Sequence, residues 1–167
     1  MNIATPRLDP RRFREETHLR VNLGAEPTPP YVGATPLGLG GHGWVTVEKK
    51  DGVLWVGGCK VELYIDDRQK NNKTITASDL HEQLKLRCYP VLHPNILDAL
   101  LQRPEYIPEE WKCDARGRAM FIYFWGQIFK GPTGAKCVRC VYFDGLVWRP
   151  FYRWFGVELN DQHAAAI

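Results

Sequence analysis

Residues 136–155 read KCVRCVYFDGLVWRPFYRWF, and the way this stretch folds decides how the rest is read. It combines a Cys-x-x-Cys pair, an Asp-Gly dipeptide, three arginines and a crowd of aromatic side chains. Asp144-Gly145, set between two runs rich in β-branched and aromatic residues, predicts a hairpin turn with a strand on either side. Side chains alternate across a strand, so Cys137 and Cys140, three positions apart, point to opposite faces. Such a pair can neither chelate one ion nor close an unstrained disulfide. A redox pair of this spacing needs a helix N-terminus to stabilise its thiolate, and no helix is predicted to follow. Cys59, Cys88 and Cys113 have no ligand spacing. The cysteines therefore read as free thiols, and neither metal nor cofactor is expected.

The same alternation sorts the rest of the stretch. Trp148, Tyr152 and Trp154 share one parity with Pro150, and Arg149, Phe151, Arg153 and Phe155 share the other. In the preceding strand Cys137, Arg139, Val141 and Phe143 alternate with Val138, Cys140 and Tyr142. One face thus mixes arginines with phenylalanines, and the other carries tryptophans and tyrosines. One of the two is expected to be core, with arginine stems snorkelling at its margin. Pro150 lacks a backbone donor, which places the last strand at a sheet edge or gives it a bulge.

Working outward, AMFIYFWGQIFK (119–130) reads as the strand before the hairpin, joined to it by the turn GPTGA, so that three strands make an antiparallel meander. A second meander lies upstream in WVTVEKK, VLWV and CKVELYI, linked by Asp51-Gly52 and Gly57-Gly58. Between the meanders two helices are predicted. The first lies in TITASDLHEQLKLR, capped by Thr76 with Asp79 three residues on, and puts Leu80 and Leu84 on one face. The second lies in HPNILDALLQRP, started by Pro94 and stopped before Pro104, with an apolar stripe of Ile96, Leu97, Leu100 and Leu101. The expected fold is α+β: two antiparallel β-meanders flanking a helical pair, one domain over residues 44–157. Residues 1–43, rich in Pro and Gly, read as an extended arm with a short helical turn over 10–19. Residues 158–167, ELNDQHAAAI, read as a flexible tail.

A chain of 167 residues with 44% hydrophobic and 25% charged residues fits one globular domain with a sizeable core. Net charge is only +3 but uneven: residues 116–167 carry seven Lys/Arg against three Asp/Glu. A basic end permits an anionic partner without requiring one. Five cysteines do not make a disulfide framework. No apolar run is long enough to span a membrane, and the N-terminal residues lack the apolar stretch of a secretory signal. A reduced, cytoplasmic setting is expected.

The succession WVTVEKKDGVLWVGGCKVELYI, PVLHPNILDALLQRPEYIPEEWK and FIYFWGQIFKGPTGAKCVRCVYFDGLVW resembles a family of small bacterial proteins found notably in candidate-phylum genomes. In that family PVLNANVLDYLL, IPEEWKG and FFWGTIYR occur in the same order. The resemblance covers about Trp44 to Trp154 and is most specific in the pairing of IPEEWK with FWG. It implies a compact module that stands alone; no activity and no catalytic residues come with it. Here His93-Pro94-Asn95 replaces the family's Asn-Ala-Asn, Cys137 replaces an aromatic residue, and the arm before His42 has no counterpart.

The remaining chemistry-bearing residues form no recognised signature. His18, His42, His81, His93 and His163 include no i, i+4 pair on a helix. Glu105, Glu109, Glu110 and Asp114 cluster around PEYIPEEWKCD, but acids just after Pro108 also suit the first turn of a short helix. GLGGHG precedes a strand rather than opening a helix, which is not a phosphate cradle. The enzyme reading would need a concave pocket gathering Glu105, Glu109 or His93. The expected function is a non-enzymatic protein-interaction module, self-association included, with Arg139, Trp148, Arg149, Tyr152, Arg153 and Trp154 as its contact surface. The alternative is single-stranded nucleic acid or RNA, its bases stacked on the same aromatic sheet with arginines on the phosphates.

Overall fold

The computed structural model describes residues 18–38 and 40–167. The strands are β1 (His18–Asn22), β2 (Thr35–Leu37), β3 (Trp44–Lys50), β4 (Val53–Val56), β5 (Cys59–Lys60), β6 (Leu63–Tyr64) and β7 (Ile75–Thr76). After helices α1 (Ala77–Leu86) and α2 (Pro94–Gln102) come β8 (Phe121–Tyr123), β9 (Ile128–Lys130), β10 (Lys136–Phe143), β11 (Trp148–Trp154), β12 (Glu158–Leu159) and β13 (His163–Ala166). The fold is α+β with meander-like sheets.

Local signals produce local structure. Asp51 and Gly52, and likewise Gly57 and Gly58, all adopt positive φ, the conformation that matches a two-residue turn to the twist of its strands. They close the first meander, β3–β4–β5, to which β1 adds on the far side of β3. Thr76 caps α1, its hydroxyl accepting from the Asp79 N–H at 3.0 Å. His93 caps α2 through Nδ1, which accepts from the Asn95 N–H, and Pro94 occupies the first turn.

The strand predicted over 59–65 does not stay in one sheet. Residues 59 and 60 pair with β4, and residues 63 and 64 pair with β13 in the larger sheet. Likewise the strand predicted over 119–130 divides into β8 and β9, which pair with β10 at different registers. The excursion between them presses Gly126 onto the chain ahead of α2, where its N–H donates to Leu92 O at 2.8 Å. A Cβ on Gly126 would lie 2.8 Å from His93 Cα, so only glycine fits.

The larger sheet is thus centred on β10, with β11 along one side and β9 and β8 end to end along the other. Beyond β9 lies β2, and beyond β8 lie β13 and then β6. β13 runs parallel to β8; all other ladders are antiparallel. The helices do not pair with each other but sit on opposite faces of this sheet. Leu80 and Leu84 of α1 pack with Tyr123, Val138, Cys140 and Ala165. Ile96, Leu97 and Leu100 of α2 pack with Ile122, Val141, Ala164 and the inner residues Val21, Val47 and Leu54 of the small sheet.

Two segment boundaries are corrected. Residues 18–38 are no loose arm: β1 pairs with β3, and β2 with β9. Asn95 Nδ2 donates to Asn22 O and Ala25 O, and Asp98 Oδ2 accepts from the Thr28 N–H. These bonds satisfy backbone that proline-rich sequence leaves without a ladder. The helical turn expected over 10–19 lies outside the described residues except for His18 and Leu19, which begin β1. Nor is 158–167 a flexible tail. β12 pairs with β7, and β13 lies inside the larger sheet with Ala164, Ala165 and Ala166 fully buried. Alanines let cover approach closely on both faces, so a strand without large side chains is still core.

Candidate functional site

The hairpin of β10 and β11 decides where a partner could bind. β10 is buried on both faces, and among the described residues β11 forms one ladder only, with β10. Phe155 N donates to Lys136 O at 3.0 Å, so odd-numbered residues of β11 turn their backbone inward. The even-numbered residues turn theirs to the open edge. Pro150 is among them and offers no donor there.

Alternation distributes the predicted contact residues as follows. Arg139 lies under α2, 3% exposed, with Nη1 2.7 Å from Asp98 Oδ1. It is therefore an internal ion pair and not part of a contact surface, a correction that follows from the α2 cover over its face. Trp148, on the same face, is half-buried against the core and 5.4 Å from Phe143 between ring centroids. Tyr152 is covered by Tyr31, with centroids 5.1 Å apart. Only Trp154 stays 38% exposed on this side, 5.5 Å from Tyr31.

The opposite face is covered by α1 over Val138, Cys140 and Phe155, and uncovered past them. Phe121, Tyr142, Phe151 and Arg153 gather there. Phe121 stacks on Tyr142 at 5.1 Å, and Phe151 meets Phe121 at 6.4 Å and Tyr142 edge-on at 6.2 Å. The Arg153 guanidinium lies 5.0 Å from the Phe151 ring and 5.5 Å from Phe121, a cation–π arrangement that holds the strip in shape. Phe151 is 40% exposed. Beside the strip His163 stacks on Phe121 at 5.2 Å; burial and the nearby Arg153 charge push its pKa down to about 4, leaving it neutral.

Arg149 is exposed and bonds Asp144 at 2.7 Å. Asp144 also accepts from the Val147 and Leu146 N–H groups, so it closes the turn, and with Arg149 these bonds draw its carboxyl down to about 2. Each of the three arginines thus has a local partner: a carboxylate for Arg139 and Arg149, aromatic rings for Arg153. Phe121 and Tyr142 were not singled out from sequence. The signal for them is register: Ile122 pairs with Val141, which puts Phe121 beside Tyr142.

The remaining candidates resolve as structure. Cys137 packs with Ala34 and Phe129, and Cys140 with the α1 cluster, on opposite faces as alternation requires. Burial pushes their thiols up to about 11 and about 12, which keeps them protonated and unreactive. Glu105 pairs with Arg103, and Glu109 with Lys112 at 2.6 Å in a short 3-10 turn. His93 is committed to capping α2. None of Glu105, Glu109 and His93 lines the groove that lies between α1 and the β9–β10 end of the sheet. Among the described residues, no cluster of three or more His, Cys, Asp or Glu could hold a metal ion, and no helix is long and apolar enough to cross a membrane.

No family model, curated protein or solved structure matches this chain.

Proposed function

We propose that this protein is an interaction module that binds another protein chain through the strip of Phe121, Tyr142, Phe151 and Arg153, with Trp154 at the neighbouring edge. The observation that carries the reading is the partial exposure of four contiguous side chains of interface type, beyond the reach of α1, on β8 and the β10–β11 hairpin. Aromatic and arginine side chains, held in place before binding, lose little conformational entropy when a partner covers them.

Binding by the face is favoured over extension of the sheet. An added strand would lie against Pro150, whose missing N–H interrupts the row of donors at the middle of the edge. A protein partner is favoured over nucleic acid because the arginines are already engaged by Asp98, Asp144 and the phenylalanine rings. Tracking phosphates calls for cations free to leave their partners. A second copy of the chain is one partner that fits.

A photo-crosslinking residue at Phe151, with a matched control at the exposed Lys73, tests the reading in cells. A polypeptide captured at 151 and not at 73, and lost on Arg153→Glu, is the expected result. Capture of RNA instead, with affinity that falls steeply as salt rises, would favour the nucleic-acid alternative. Equal capture at both positions would remove the strip as a contact surface.

A further inference from the structure

A groove of about 540 Å³ lies on the α1 side of the sheet, separate from the aromatic strip. Its size is within the range of small-molecule sites. Part of the wall is apolar, formed by Leu37, Leu84, Val91, Trp125, Ile128 and Phe155, and the rest is polar. Trp125 is 3% exposed, sandwiched between His81, stacked at 5.5 Å, and Tyr123 at 5.8 Å. Its indole Nε1–H is buried and has no acceptor among the described residues, so its resonance reports on the packing behind the groove wall.

The rim is cationic. Lys85 on α1 and Lys136 at the start of β10 both line the groove, and the charge of each is felt at the His81 ring. Neither forms an ion pair among the described residues, whereas Lys50, Lys60, Lys70 and Lys112 all do. Glu82 is the one acidic residue of the lining, so the rim keeps a positive balance. Burial, then Lys85 and Lys136, push the His81 pKa down to about 4, so the ring adds aromatic surface and no charge at neutral pH.

We propose that this groove binds a small carboxylate with an aromatic or alkyl body, its carboxylate held by Lys85 and Lys136 and its body laid along the Leu84–Trp125–Phe155 wall. The apolar part of the wall supplies affinity, and two ammoniums supply the preference for an anion. The binding is independent of the protein contact at the strip.

The test is a titration of the ¹⁵N-labelled protein with 1-naphthoate and with octanoate, following the Trp125 indole N–H resonance, assigned by its loss in Trp125→Phe. Neutral 1-naphthamide is the control. A saturable shift with a Kd at or below about 1 mM is expected for at least one acid. The amide should bind at least about tenfold more weakly, and Lys85→Ala with Lys136→Ala should weaken the acid by about tenfold. Both lysines are exposed, so the double variant keeps its fold, which circular dichroism verifies. No saturable shift with either acid, equal affinity for acid and amide, or unchanged affinity in the double variant would each overturn the proposal. Loss of naphthoate binding in Lys85→Ala/Lys136→Ala with strip-dependent crosslinking intact would confirm that the two sites are separate.

Discussion

The two faces of the β10–β11 hairpin have similar composition and opposite fates. One carries Arg139 and the other Arg149 and Arg153, in both cases among aromatic and β-branched side chains. On one face α2 lies over Arg139, which is 3% exposed and ion-paired to Asp98. On the other α1 stops short, and Arg153 rests between Phe121 and Phe151 with solvent beside it. Residue type did not decide which arginine became structural. The reach of the covering helix did.

That contrast can be broken first at Arg139. Replacing it with Ala leaves Asp98 of α2 with the Thr28 N–H and no cation, and should cost about 3–5 kcal/mol, seen in chemical unfolding. A loss below about 1 kcal/mol would mean that the pair is solvent-relaxed and the two arginines are alike. Asp98→Asn, which strands the buried guanidinium instead, should fall in the same range as the first variant.

Acid sharpens the comparison next. The pKa of His163 beside the strip and that of His81 on α1 are both depressed from 6.5 to about 4. The unfolded chain therefore binds more protons than the native one between these values. Stability is fully present above about pH 6.5 and falls as pH drops toward 4. The loss should be about 1–2 kcal/mol after allowance for solvent access, and His163→Gln should flatten part of the slope. A pH-independent midpoint across this window would show that neither ring is held neutral by the fold.

At Phe151 and Arg153 the expected stability effect is smallest. Phe151→Ala and Arg153→Ala should each change unfolding free energy by less than about 1 kcal/mol while reducing partner capture. A larger loss would make the strip core rather than contact surface. Thiol labelling checks the same boundary without energy: Cys59, Cys88 and Cys113 are exposed and should react in the native state, and Cys137 and Cys140 only on unfolding.

Much of the fold was legible because its signals are local. The hairpins at Asp51-Gly52 and Asp144-Gly145, the Thr76 cap and Pro94 each act over three or four residues, where backbone geometry leaves few alternatives. Alternation also placed Cys137 and Cys140 on opposite faces, which disposed of a metal or redox pair. What could not be read was pairing across long separations. β13 beside β8, β1 beside β3 and β2 beside β9 involve short strands of Ala, Arg, Thr or Pro whose composition says loop. Their stability comes from ladders and side-chain bonds, such as those of Asn95 and Asp98, that exist only when the chain is folded.

By itself the sequence determined the two meanders, the two helices and the alternation within each strand of residues 136–155; the expected arginine–phenylalanine and tryptophan–tyrosine faces are mixed by the register, which sets Arg139 opposite Tyr152 and Phe143 opposite Trp148. Period and turn chemistry are properties of neighbouring residues, and they need no tertiary contact to be expressed. Only the tertiary structure decided which face is core, because that depends on where α1 and α2 come to rest and how far each extends. It made Arg139 an internal ion pair, packed Tyr152 against Tyr31, and left Phe151 exposed with Phe121, Tyr142 and Arg153 half-buried around it. Burial is set by what lies opposite a side chain, and for these residues that neighbour is far away in the chain.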